Sequence, residues 1–124
     1  MTTRIEAIDL FCGVGGLSCG LSAEGIRVRA GLDIDPHCEY PFTANHGGAA
    51  FLLQDVANLS GNVLTELWSP RSIRLLAGCA PCQPFSSYAN TTPSVDNGKW
   101  GLLYEFSRLV KETTPDLVTM ENGV

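Results

Sequence analysis

Ile5-Glu-Ala-Ile-Asp-Leu-Phe-Cys-Gly-Val-Gly-Gly-Leu17 decides the fold of this chain. Residues 5–11 read as a strand, and Phe11-Cys-Gly-Val-Gly-Gly-Leu17 joins it to a helix through a tight turn. Glycines at 13, 15 and 16 let the backbone approach a ligand closely, and the N–H groups that open the helix can serve an anionic or polar group. The helix after Gly16 carries Leu17, Gly20 and Leu21 on one face, where Gly20 is expected to allow close approach to the sheet. A tight strand-to-helix turn alone also explains the glycines, so the rest of the chain has to decide between the two readings.

Working outward, short apolar runs alternate with stretches that can form helices, which predicts a parallel sheet with crossover helices. Further strands are expected at 27–32, Ala50–Leu53, 73–77 and 116–120, so that five strands make one doubly wound half-domain. In 102–110 the apolar positions Leu102, Leu103, Phe106, Leu109 and Val110 recur at helical spacing, with Glu105, Arg108 and Lys111 opposite. Asp35 followed by Pro36 reads as an N-cap and first helical residue. The helix it opens, across Cys38, Tyr40 and Phe42, should be short or bent at Pro41. Residues 90–101 are polar and without clear periodicity, a candidate mobile loop.

The chain has 124 residues, 44% of them hydrophobic and 17% charged, enough for one domain with a sizeable core. No apolar run is long enough to span a membrane and no secretory leader is recognisable, so an intracellular, cytoplasmic protein is expected. Eight basic residues against thirteen acidic ones give a net charge of −5. That is the wrong sign for a self-sufficient nucleic-acid binder, and any basic DNA-facing surface must lie elsewhere. Five cysteines without a secretory context point to reduced thiols.

Two acids stand where a nucleoside would need them. Asp33 ends the second strand 20 residues after Gly13, placed to accept from ribose hydroxyls, and Asp55 follows the third strand, suited to an exocyclic amine. Ser18 occupies the position where a dinucleotide fingerprint requires its third glycine, which favours S-adenosyl-L-methionine over a nicotinamide or flavin. Farther on, Leu76-Ala-Gly-Cys-Ala-Pro-Cys-Gln-Pro-Phe-Ser-Ser87 takes an apolar strand into a proline-bounded loop. There Pro81 and Pro84 restrict the backbone around Cys82, and Gln83 and Ser86 add polar groups beside its sulfur. Cys82 is thus a candidate nucleophile, while Cys79 suits a buried, inert role. Cys79-Ala-Pro-Cys82 also has the spacing of a thiol redox motif, an alternative that explains neither the glycine turn nor the strand-end acids. A zinc site is weaker, because His37, Cys38 and His46 lack convincing ligand spacing, and no metal is expected.

Along essentially its whole length the chain resembles the DNA cytosine-5 methyltransferases. Asp9-Leu-Phe-Cys-Gly-Val-Gly-Gly16 is similar to the family's first motif, and Pro81-Cys82-Gln83 to its catalytic motif. Leu32-Asp-Ile-Asp35 with Asn45-His46 resembles the second, Gln54-Asp-Val56 the third, Leu102-Leu-Tyr-Glu-Phe106 the fifth and Glu121-Asn122 the start of the sixth. Asn97, Lys99 and Gly123 depart from the pattern, standing where the family usually shows Asp, Arg and Val.

The resemblance implies a Rossmann-like methyltransferase half-domain: residues 1–124 as the N-terminal, incomplete part of an S-adenosyl-L-methionine-binding catalytic domain. It implies a cofactor pocket of Phe11, Gly13, Gly15, Gly16, Leu17, Asp33, Ile34, Asp55, Val56 and Leu102. Cys82 is then the nucleophile and Glu121 the acid, with Pro81, Gln83, Ser86 and Asn122 on the flipped cytosine of double-stranded DNA. Family members are much longer, so the target-recognition domain is expected on a missing C-terminal portion or a second polypeptide, and the chain alone is expected to have little activity. A non-catalytic subunit that binds S-adenosyl-L-methionine is the remaining alternative.

Overall fold

β1 (Ile5–Leu10) is the centre of a five-stranded, all-parallel sheet of order β3-β2-β1-β4-β5, completed by β2 (Arg27–Asp33), β3 (Ala50–Leu53), β4 (Ile73–Ala80) and β5 (Leu117–Asn122). The computed structural model describes residues 4–80 and 95–122, with side chains described for 4–80 and 101–121. The helices are α1 (Gly16–Ala23), α2 (Glu39–Asn45), α3 (Gly61–Thr65) and α4 (Val95–Thr113).

The alternation of side chains along β1 sorts the core into two layers. Ile8 and Leu10, both fully buried, face one cluster with Leu32, Leu64, Leu76, Phe106 and Leu109, under α3 and α4. Ala7 faces the other, with Val28, Phe42 and Ala77, against which Leu17 and Leu21 of α1 pack. The inner strands, covered on both faces, need such apolar residues, whereas Leu117, Val118 and Met120 of edge strand β5 stay exposed.

Several boundaries differ from the expectations. β1 stops at Leu10 because Phe11 takes a positive φ of 55°, which turns the chain out of the sheet. β4 runs on to Ala80 and β5 to Asn122, since the two strands pair in register as far as Ala80↔Asn122. Asp35 does cap, accepting from the His37 N–H at 2.9 Å, but it caps a single 3₁₀ turn (Pro36–Cys38). α2 then starts at Glu39, so Pro41 falls in its first turn, where a missing N–H breaks no helical bond.

Two expectations are corrected. Of the candidate loop 90–101, residues 95–101 are helical: α4 begins at Val95, because extending an established helix toward its N-terminus adds a hydrogen bond per residue without a new nucleation cost. Residues 90–94 lie outside the described residues. Gly20 is exposed, with nothing within 4 Å of where its Cβ would be, so it does not set the approach of α1 to the sheet. The close contacts lie at Gly31, where a Cβ would be 2.5 Å from the Phe42 ring, and at Gly78, 2.8 Å from the Phe106 ring. Strand glycines, not a helix glycine, make room for the two large aromatics.

The strand order reverses between β1 and β4, the place where open parallel sheets form a crevice at their carboxyl ends. The glycine turn leaves β1 there, and β4 ends at Ala80 on the other side.

Candidate cofactor and catalytic site

The glycine turn is built from left-handed residues. Gly13 (φ 56°) and Gly15 (φ 97°) occupy backbone space that L side chains rarely enter, and Phe11 joins them without being glycine. Phe11 is a strained residue at the mouth of the crevice, its half-buried ring packed against the α3/α4 side of the core. Gly15 is also the N-cap of α1, with no side-chain cap, so first-turn N–H groups of the helix remain for another acceptor. Gly16 has nothing within 4 Å of a would-be Cβ, which leaves its surface open to a ligand.

Three side chains hold this turn. Asp33 accepts the Gly13 N–H at 2.8 Å on Oδ2 and the Asp35 N–H at 3.0 Å on Oδ1, tying the end of β2 to the turn after β1. Each oxygen keeps a lone pair for a further donor. His46 donates from Nε2 to the Gly15 carbonyl at 3.1 Å, and a carbonyl can only accept, so Nε2 carries the proton. The ring stacks obliquely on Phe42 with centroids 4.8 Å apart. A Cβ on Gly15 would lie 2.5 Å from that Nε2.

Asp9 is the third. Its carboxylate, 1% exposed on β1, accepts the Ser18 hydroxyl at 2.6 Å on Oδ2, while Oδ1 has no hydrogen-bond partner among the described residues. Burial pushes its pKa up to about 6 against the lowering effect of the Ser18 donors and of His46, with Glu121 adding a further push upward. The reading of the residues assigned no role of their own to Asp9, Ser18 and His46. The available signal was Ser18 itself, a hydroxyl in place of the fingerprint glycine, nine residues from a strand acid.

The remaining candidates are placed as follows. Ile34 is exposed beside Asp33, an apolar surface at the sheet edge. Asp55 is half-buried and caps the 3₁₀ turn Val56–Asn58, accepting from Ala57 N–H at 3.0 Å. The Val56 side chain points the other way, 3% exposed within the core. Leu17 and Leu102 are half-buried. Glu121 is exposed on β5, paired in register with Cys79 of β4, three residues before Cys82 in sequence. Asn122 ends β5 beside Ala80, and its side chain is outside the described set. Pro81, Cys82, Gln83 and Ser86 lie outside the described residues, as does the pairing of Cys79 with Cys82.

The sheet order, the left-handed glycine turn and the strand-end acids define a Rossmann-like α/β domain. The model of the C-5 cytosine-specific DNA methylase family matches residues 5–123, and the chain belongs to that family. It is 47% identical over 115 residues to the type II methylase M.HgiDII of Herpetosiphon aurantiacus, covering 93% of this chain and 32% of that protein. The type II methyltransferase M1.HphI of Haemophilus parahaemolyticus is 34% identical over 116 residues, covering 93% and 31%. Among solved structures, a protein described as a prophage-encoded DNA modification methyltransferase of E. coli superposes with a TM-score of 0.78 at 30% identity, covering 96% of this chain and 32% of that one. The chain thus spans about a third of the length of these relatives.

Proposed function

We propose that this chain is the cofactor-binding, nucleophile-bearing portion of a DNA cytosine-5 methyltransferase of the restriction-modification type. The observation that carries the reading is the convergence, at one sheet edge, of the glycine turn, Asp33 and Asp55 on one side of the reversal and the β4/β5 pair on the other. Family membership over residues 5–123 supports the same assignment.

The donor set fits S-adenosyl-L-methionine. Phe11, Gly13, Gly15, Gly16 and Leu17 line the turn toward its amino-acid end, and Asp9 Oδ1, without a partner among the described residues, suits a cationic ammonium there. Asp33 is set for ribose hydroxyls, Ile34 and Leu102 for the faces of the adenine, and Asp55 with the Val56 backbone for its edge. When bound, the cofactor supplies the sulfonium methyl that carbon 5 of cytosine accepts.

Carbon 5 of cytosine is too weak a nucleophile by itself. The Cys82 thiolate adds to carbon 6, forming a carbon–sulfur bond and pushing an electron pair onto carbon 5. Glu121, in its protonated form, donates to N3 and offsets the charge that develops there. Pro81, Gln83, Ser86 and Asn122 border the base, which leaves the duplex stack to expose carbon 6. After methylation, loss of the carbon 5 proton to a base re-forms the carbon 5–carbon 6 double bond and expels the thiolate, while the N3 proton returns to Glu121. Double-stranded DNA is held through a target-recognition portion corresponding to the other two thirds of the relatives, in the same polypeptide or in a second one.

The test combines the chain with a polypeptide carrying that portion and follows labelled methyl from S-adenosyl-L-methionine into duplex DNA. Transfer is expected with Cys82 and abolished by Cys82→Ser; transfer that survives the substitution refutes the nucleophile. A non-catalytic subunit would bind the cofactor yet give no transfer in that mixture.

A further inference from the structure

The turn after β3 is fastened to α4 by one guanidinium that uses all three of its nitrogens. Arg108 donates from Nε to Glu105 Oε1 at 2.8 Å, from Nη1 to Glu112 Oε2 at 2.8 Å and from Nη2 to the Val56 carbonyl at 3.0 Å. The second oxygen of Glu112 accepts the Gly61 N–H at 2.8 Å. Both ends of the segment 56–61 are therefore clamped to α4 by a single charged unit. The helices are close enough there that a Cβ on Gly61 would lie 2.6 Å from the Glu112 Cβ.

Stability does not explain the arrangement. All three side chains are partly exposed, and ion pairs in that setting contribute little to folding. Their geometry is specific nonetheless. Two carboxylates aim the planar fork, and the third nitrogen bonds the carbonyl of Val56, the residue after Asp55, the acid set for the cofactor's base. A lysine, with one nitrogen, could not reach three acceptors in a plane.

We propose that Arg108 is a positioning residue for recognition of the adenine: by fixing the Val56–Ala57 peptide, whose N–H bonds Asp55 Oδ1, it holds the Asp55 carboxylate against the edge of the base. This rests on the reading of Asp55 as the acceptor for the exocyclic amine. The chain around the acid is otherwise a single 3₁₀ turn, closed by Asn58 N–H to Asp55 O at 2.9 Å and Leu59 N–H to Val56 O at 3.2 Å. So short a turn has little cooperativity of its own, and the clamp sets where its acid sits.

The test uses the ligand-free chain and two probes, S-adenosyl-L-homocysteine and S-inosyl-L-homocysteine, which differ at the amine-bearing edge of the base. In Arg108→Met, amide exchange at Asn58 and Leu59 should quicken at least about tenfold while β1 amides keep their protection. By calorimetry the wild type should prefer the adenosyl probe at least about tenfold, as a hydrogen-bonding site does over an analogue that lacks the group. Asp55→Ala and Arg108→Met should each lose most of that preference, and Arg108→Lys should keep part of it. Arg29→Met, which removes a cation bonded to the Leu67 carbonyl, should leave it intact. A folded Arg108→Met with the full preference overturns the positioning role while Asp55 stands. A wild type that binds both probes alike or neither, or an Asp55→Ala that keeps the preference, overturns the base reading and the proposal together. If Arg108→Met does not fold, Arg108→Lys decides: an unchanged preference overturns the proposal, and a loss of about threefold or more supports it.

Discussion

Replacing Asp9 with asparagine should stabilise this protein at neutral pH, although it alters a fully buried polar contact. The carboxyl of Asp9 has its pKa raised from 3.8 to about 6, with burial the largest cause. At 1.36 kcal/mol per pH unit, the folded chain carries a cost of ~3 kcal/mol above pH 6 for keeping that group ionised. Because the folded state holds the proton more tightly, the cost is absent below pH 3.8, grows between 3.8 and 6, and is constant above. Asparagine has nearly the same shape, its amide oxygen can accept the Ser18 hydroxyl, and it carries no charge, while its NH₂ in the place of the unpartnered Oδ1 offsets about 1 kcal/mol of the gain. Asp9→Asn should therefore raise the unfolding free energy by up to ~2 kcal/mol at pH 7.5, and by ~2.4 kcal/mol less than that at pH 4. Urea denaturation followed by the fluorescence of buried Trp68 measures both. The difference between variant and wild type isolates Asp9 from other titrating groups. A variant less stable at pH 7.5, or a difference that does not change between pH 4 and 7.5, refutes the reasoning. The gain should come with weaker binding of S-adenosyl-L-methionine, at least about tenfold by calorimetry, since an ionised acceptor is lost.

Two adjacent glycines should behave differently. Gly15→Ala places a Cβ against His46 at φ 97° and should cost at least ~2 kcal/mol in thermal or chemical denaturation, whereas Gly16→Ala should change stability by less than ~0.5 kcal/mol yet weaken cofactor binding. Thr114, a β-branched residue at φ 43° whose N–H caps α4 by bonding to the Val110 carbonyl at 2.9 Å, should be improved by Thr114→Gly, by ~1 kcal/mol in the same denaturation assay. In the complemented methyl-transfer assay, Glu121→Gln should slow turnover by about 10²–10⁴-fold, while cofactor affinity measured by calorimetry stays within a factor of about two.

The order of elements was legible because apolar runs report burial directly, and all five strands lie where those runs stand. Their ends were not. Where β4 and β5 stop depends on their register with each other, which no local pattern records. The expectation for Gly20 failed for a related reason. Room for a large side chain is set by the partner layer, and the aromatics that need it, Phe42 and Phe106, are met by strand glycines. At the site, Asp33 and Asp55 could be picked out as acids at strand ends, and both cap backbone N–H groups there. Val56 was expected in the cofactor pocket, yet its side chain belongs to the core.

The amino-acid sequence by itself determined the class of fold, the glycine turn with its acids, and the family, because those rest on local conformational preference, burial pattern and contiguous motifs. Only the tertiary structure decided what holds the site in shape. His46 meets Gly15 across 31 residues, Glu112 meets Gly61 across 51 and Arg108 meets Val56 across 52. The buried charge of Asp9 likewise arises from the helix laid over it. Hydrogen bonds between distant segments form only after the sheet has brought its two covering layers into place, so no spacing in the sequence encodes them.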